Sequence, residues 1–159
     1  CTFAPSAALF FRYNPVTDRW TTLPTPFPGG SQSPYAGGVI GGKFYVMHGW
    51  ERGYTELSVY EPATNQWTPK TPLGLGRPGA ATAVLSGKLY VIGGDRYDNG
   101  VETVDITIVY DPLTDAWTRR AFLPSARANT AATKVFLNGQ PRIELVGGDV
   151  AEDNLQYVP

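Results

Sequence analysis

Short apolar runs, each preceded by a tight turn and closed by glycine, recur along the chain. "KFYVM" at Lys43–Met47, "KLYVI" at Lys88–Ile92 and "RIELV" at Arg142–Val146 are rich in β-branched and aromatic residues, as a buried strand requires. The turns before them are Gly41-Gly42, Ser86-Gly87 and Asn138-Gly139. Such pairs suit two-residue hairpins, where φ is positive. The runs before the turns, "AGGVI", "AATAVL" and "AATKVFL", carry small residues that let neighbouring backbones approach. The pattern predicts three hairpins, ending at His48-Gly49, Gly93-Gly94 and Gly147-Gly148.

A second phrase alternates with the first. An apolar run ends at tyrosine ("ALFFRY", "LSVY", "TIVY"), and "Y-x-P-x-T-[DN]-x-W" follows at Tyr13–Trp20, Tyr60–Trp67 and Tyr110–Trp117. Proline presets φ for a turn, and Asp18, Asn65 or Asp115 can close it through the side chain. The tryptophan then opens another strand. Tyr13, Tyr60, Tyr110 and Tyr157 stand 47, 50 and 47 residues apart. Two hairpins per period make a four-stranded antiparallel unit, one blade of a β-propeller. The large rings of Tyr13, Trp20, Tyr60, Trp67, Tyr110 and Trp117 are expected to fill the wedge between blades.

The expected division is a partial blade at 7–24, full blades at 31–73 and 76–123, and a partial blade at 127–159. That is a little over three blades, whereas propellers close with about 4 to 8. The all-β fold is therefore expected to be a partial propeller, completed by another chain or by missing sequence. Its open ends would expose apolar faces and strand edges, which invites association. Residues 154–157 repeat the strand that residues 9–13 already supply, which counts against a clean pairing of two half-rings.

The Gly93-Gly94 doublet followed by Tyr110 and Trp117, and Gly147-Gly148 followed by Tyr157, resemble the kelch repeat. The resemblance runs through essentially the whole chain. The first full unit departs from it, with His48-Gly49 in place of the doublet. The family resemblance implies target binding on the face formed by loops after the second strand and before the first strand of each blade. Gln32, Arg77 and Arg127 fall in the loops entering blades. Trp50, Glu51, Arg52, Tyr54, Asp95, Arg96, Tyr97, Asp98, Asp149, Glu152 and Asp153 fall in the loops leaving second strands. Loops on a rigid scaffold concentrate binding residues. Arginine suits carboxylate recognition, and Trp50 could serve as a platform for a sugar ring or a partner hot spot. His48, the sole histidine, reads as a packed or hydrogen-bonded residue rather than a catalyst.

Composition narrows the function. Hydrophobic residues make up 42% and aromatics 13%, enough for a packed core. Gly 18 and Pro 14 of 159 residues argue against long helices. With a net charge of −1 there is no basic surplus for nucleic acid. No apolar run is long enough for a membrane span, and no signal-peptide pattern is visible. Cys1, the one cysteine, excludes an internal disulfide and reads as a chain boundary, a lipid-bearing residue or half of an intermolecular bond. No zinc-type His/Cys cluster, nucleophile elbow or cofactor motif appears. "GLGRPG" at Gly74–Gly79 matches a dinucleotide fingerprint in letters only, because Pro78 and a β pattern follow it instead of a helix. The expectation is a non-enzymatic module that binds protein or glycan, or self-assembles through its open blade edges. The alternative is part of a kelch-fold sugar-processing enzyme of isomerase or oxidase type. Low charge and abundant Thr, Gly and Pro resemble secreted or surface microbial kelch proteins. An extracellular or cell-surface setting is therefore expected, with a cytoplasmic one as the alternative.

Overall fold

The computed structural model describes residues 9–29, 33–50, 54–97 and 100–150, and the described chain is built of strands and turns without helix. The expectations placed on Cys1, Gln32, Glu51, Arg52, Asp98, Glu152, Asp153 and Tyr157 lie outside these residues. A half-blade, β1 (Phe11–Asn14) and β2 (Arg19–Thr22), comes first. The first full blade is a four-stranded meander of β3 (Ser33–Ile40), β4 (Lys43–Trp50), β5 (Tyr54–Glu61) and β6 (Gln66–Gly74). The second holds β7 (Ala81–Leu85) and β8 (Lys88–Ile92), then a small inserted hairpin of β9 (Asp95–Tyr97) and β10 (Val101–Thr103). It is completed by β11 (Thr107–Asp111) and β12 (Ala116–Arg119). A long hairpin, β13 (Arg127–Leu137) and β14 (Gln140–Val150), follows.

The turns have the geometry their residues favour. Both residues of each two-residue turn take positive φ: Gly41 and Gly42 at 56° and 77°, Ser86 and Gly87 at 51° and 72°, Asn138 and Gly139 at 51° and 74°. These are type I′ hairpins, whose twist matches that of the strands. In the other turn, Asp18, Asn65 and Asp115 sit at φ 51°, 56° and 51°, a left-handed conformation that Asn and Asp tolerate best among residues with a side chain.

Blades pack most closely through their first strands. β7 lies between β3 and β13 and touches both. Small residues make this approach possible: a Cβ at Gly38 would stand 2.6 Å from Val84 Cγ2. Thr82 Oγ1 donates to the Gly37 carbonyl at 2.7 Å. Between the two full blades Tyr45, Met47, Leu57 and Val59 meet Leu89, Val91 and Tyr110 in one core, with Trp117 packed at its edge. Met47, Leu89 and Tyr110 have no exposed surface. Full burial of an apolar side chain of this size is worth about 1.5–3 kcal/mol, so each blade face is stabilised mainly by its neighbour.

His48 explains the departure of the first full blade from the glycine doublet. Gly93 and Gly94 have positive φ, and the chain turns out of the sheet there. A Cβ at Gly93 would lie 2.2 Å from the Arg127 carbonyl oxygen. At His48 the backbone stays extended, and β4 continues to Trp50, pairing with Tyr54. The imidazole is 1% exposed. Its Nε2 is 2.9 Å from Ser58 Oγ, and the Phe27 ring meets it edge-on at 4.7 Å. His48 thus joins the linker after the half-blade to the first full blade.

Burial holds the His48 pKa below its ordinary value, and the attraction of Glu56, 3.6 Å from Nδ1, offsets this only in part. The unfolded chain protonates its single histidine near pH 6.5, the folded chain at lower pH. Between those values the unfolded state binds more protons, so stability falls as pH falls. The midpoint of urea unfolding is expected to drop between pH 7.5 and 5.5, and His48→Gln should flatten most of that drop. A parent midpoint unchanged over this range would contradict the burial of a neutral imidazole.

Candidate functional site

In a meander blade, the loops after the second strand and before the first share one rim. Here the linker into the second blade, the segment leaving that blade's second strand and the start of the next unit are tied together by backbone hydrogen bonds. Asp95 N donates to Pro78 O at 2.8 Å, Gly94 N to Arg127 O at 2.8 Å, and Asn129 N to Gly79 O at 2.7 Å. Val104 N donates to Gly94 O at 3.0 Å, and Arg127 N to Val104 O at 3.3 Å. The glycines make this possible, since side chains at Gly93 and Gly94 would collide with Arg127 and Ala80. A rim fixed through its backbone can hold side chains in place at little further entropic cost.

The structure brings Arg77, Asp95, Arg127 and Asp149 to this rim. Arg77 lies in the linker into the second blade and is buried, with its carbonyl accepting from Ala80 N. Asp95 opens β9 and accepts a 2.8 Å hydrogen bond from Thr103 Oγ1. Arg127 opens β13, and its Nη1 donates to the Gly147 carbonyl at 3.3 Å. Asp149 Oδ2 accepts from Asn129 Nδ2 at 2.8 Å. Arg96 and Tyr97 stand further out, on β9. Arg96 is ion-paired to Glu102 across the β9–β10 hairpin, and Tyr97 is half-buried opposite Val101. Trp50 ends β4 on the same rim of the neighbouring blade, in register with Tyr54.

Sequence reasoning missed Thr103, Glu102 and Asn129. The first two belong to a hairpin of polar three-residue strands, too short for alternation to show. Asn129 had a usable signal: an asparagine beside a predicted small-residue strand suits the positive φ, 56°, that it adopts.

The six aromatic residues of the repeated phrase divide by neighbour. In each copy the tyrosine hydroxyl donates to the Asx side chain five residues on, Asp18 at 2.7 Å, Asn65 at 2.7 Å and Asp115 at 2.6 Å. Each Tyr–Trp ring pair is tilted, with centroids 5.0–5.1 Å apart. Tyr60 and Tyr110 are buried, and Trp67 and Trp117 are half-buried at the outer ends of their clefts. Tyr13 and Trp20 make the same pair on an open side and are 43% and 70% exposed. Burial first, then the bond to Asp115, raises the Tyr110 hydroxyl pKa far above its ordinary value. The same bond holds Asp115 below the usual carboxylate range.

Comparison with known proteins agrees with this geometry. Residues 76–121, the second full blade, match the model of the Kelch motif. The chain is 32% identical over 131 residues to human Kelch-like protein 21, covering 82% of this chain and 21% of that protein. It is 36% identical over 103 residues to an F-box/kelch-repeat protein of Arabidopsis thaliana, covering 61% and 22%. It is 30% identical to Kelch-like protein terF of Aspergillus terreus, covering 94% and 35%. The chain thus spans about a fifth to a third of these relatives. Among solved structures, that of YjhT superposes with a TM-score of 0.67 at 21% identity, over 81% of this chain and 50% of that one, which shows a shared fold. The matches lend no support to the narrower expectation of a secreted or surface microbial protein. The repeated blade, the matched motif and these relatives together support placing the chain in the kelch-repeat family, as part of a kelch β-propeller.

Proposed function

We propose that the chain is a protein-binding segment of a kelch propeller, and that its ligand meets the rim of Asp95, Arg96, Tyr97, Arg127 and Asp149, with Arg77 buried beneath it. The observation that carries this reading is the backbone locking of two segments of the second blade to the start of the next unit, which presents these side chains on a rigid frame. The β9–β10 hairpin rises from that frame with a half-buried tyrosine and an arginine, residue types enriched at protein interfaces. Glycan binding and a sugar-processing activity have no such observation behind them. An extracellular or cell-surface setting belongs to the same proposal on composition alone; a tagged protein found wholly in the cytoplasm on cell fractionation would end it.

A photoreactive residue placed at Tyr97 should cross-link a discrete protein in cells, and the band should weaken with Arg127→Glu. The same residue at Leu113, exposed in the turn at the opposite rim, should not. Equal cross-linking from both rims, or none from Tyr97, would overturn the reading.

The open sides favour one addition. Phe11, Tyr13 and Trp20 are exposed on one side, and Leu137 and Val146 share an exposed face of the last hairpin. Covering even ~500 Å² of such surface is worth about 12 kcal/mol before association costs. A neighbouring blade, from a second copy or from further sequence of the same protein, suits both faces. Light scattering should show the isolated chain's mass rising with concentration, and Phe11→Asp should reduce the rise. A constant monomer mass across the micromolar range would remove self-association.

A further inference from the structure

The cleft between the two full blades ends, on the outer wall, in a cavity of about 230 Å³ lined by Leu73, Leu75, Arg77, Ile108, Trp117 and Arg119. It is smaller than the roughly 300–1,000 Å³ of pockets that enclose a drug-sized molecule, and it suits one or two side chains. The preceding cleft shows what such a space can hold. There Phe27, from the linker after the half-blade, packs edge-on against Trp67 with ring centroids 5.2 Å apart. Phe10, just before β1, also meets Trp67 at 5.2 Å. In the second cleft the corresponding linker brings Leu73, Gly74 and Leu75 beside Trp117 in place of phenylalanine, and the space stays open. Trp117 is already oriented, its indole N–H donating to the Thr71 carbonyl at 2.8 Å. The described lining contains two arginines and no carboxylate. Arg77 is buried at the back, and Arg119 is exposed on the last strand of the blade.

We propose that this groove binds an acidic peptide segment carrying one aromatic side chain. The ring takes beside Trp117 the place that Phe27 takes beside Trp67, between Leu73 and Leu75. A carboxylate flanking the ring meets the Arg119 guanidinium, whose planar fork matches it. The groove shares Arg77 with the linker that enters the second blade, while Trp117 and Arg119 lie on β12, away from the loops of the rim.

The test uses a fluorescein-labelled peptide with a central Phe between two Asp-Glu pairs, followed by anisotropy at low salt. Saturable binding is expected, at least tenfold weaker when Ala replaces the Phe or when Lys replaces the acidic residues. Arg119→Glu should weaken binding at least tenfold. Arg142→Glu, the same charge change on the exposed surface of β14, should leave it within about twofold. Leu75→Trp, which fills the groove from the chain's own side, should compete the peptide out and provides a second variant that keeps the charges. Lack of saturable binding, equal affinity for the Phe and Ala peptides, or unchanged affinity in Arg119→Glu would each overturn the proposal.

Discussion

The interaction on which this architecture depends is the clamp formed by tyrosine, tryptophan and the Asx residue between them. Its local part is the same in all three copies: a hydroxyl on the Asx side chain, and two rings tilted against each other. What varies is the next blade. Asp115 also accepts a hydrogen bond from Thr71 N at 3.1 Å, while Trp117 donates to Thr71 O. The clamp of the second blade therefore grips both sides of one residue in the outermost strand of the first. The first blade's clamp is reached from the half-blade side, by Arg12 on the Tyr60 hydroxyl and Thr25 on the Asn65 carbonyl. A turn motif thus doubles as the joint between blades. This is why stability in such an array grows by neighbour interfaces rather than within each sheet.

Rigidity at the outer joints and at the first-strand contacts has a functional consequence. The loops on the rim do not need an internal core of their own, because their backbones bond to one another and to the start of the next unit. The ion pairs at the opposite end, Lys43 with Glu61 and Lys88 with Asp111, sit at equivalent register positions in the two full blades. They hold both acids below the usual carboxylate range. Being partly exposed, they contribute little to stability, and their regularity reflects the repeat.

Much of this was legible in the chain because the relevant chemistry is local. A proline, an Asx residue and a tryptophan at fixed spacing define a turn, and two glycine-containing residues define a hairpin. Both kinds of turn formed where the sequence placed them. Exposure depended on distant neighbours and was not legible. Trp20 and Trp117 stand in the same phrase, yet one faces solvent and the other a blade. Arg77 reads as a surface loop residue and is buried, at the back of the groove it forms with Leu73, Leu75, Ile108 and Trp117. The groove beside Trp117 was equally hidden, since it arises from what Leu73 and Leu75 fail to fill.

The central claim is that a clamp draws its strength from the adjoining blade. Alanine at Trp117 and at Trp20 removes the same ring from the same local setting, and urea unfolding compares the two. The account predicts a loss of about 3 kcal/mol for Trp117→Ala, at the lower edge of the range for core aromatic truncation because the ring is half-buried. It predicts less than about 1 kcal/mol for Trp20→Ala, the level of exposed substitutions. Equal losses at the two positions would show that the clamp is a property of the turn alone, and would contradict the account.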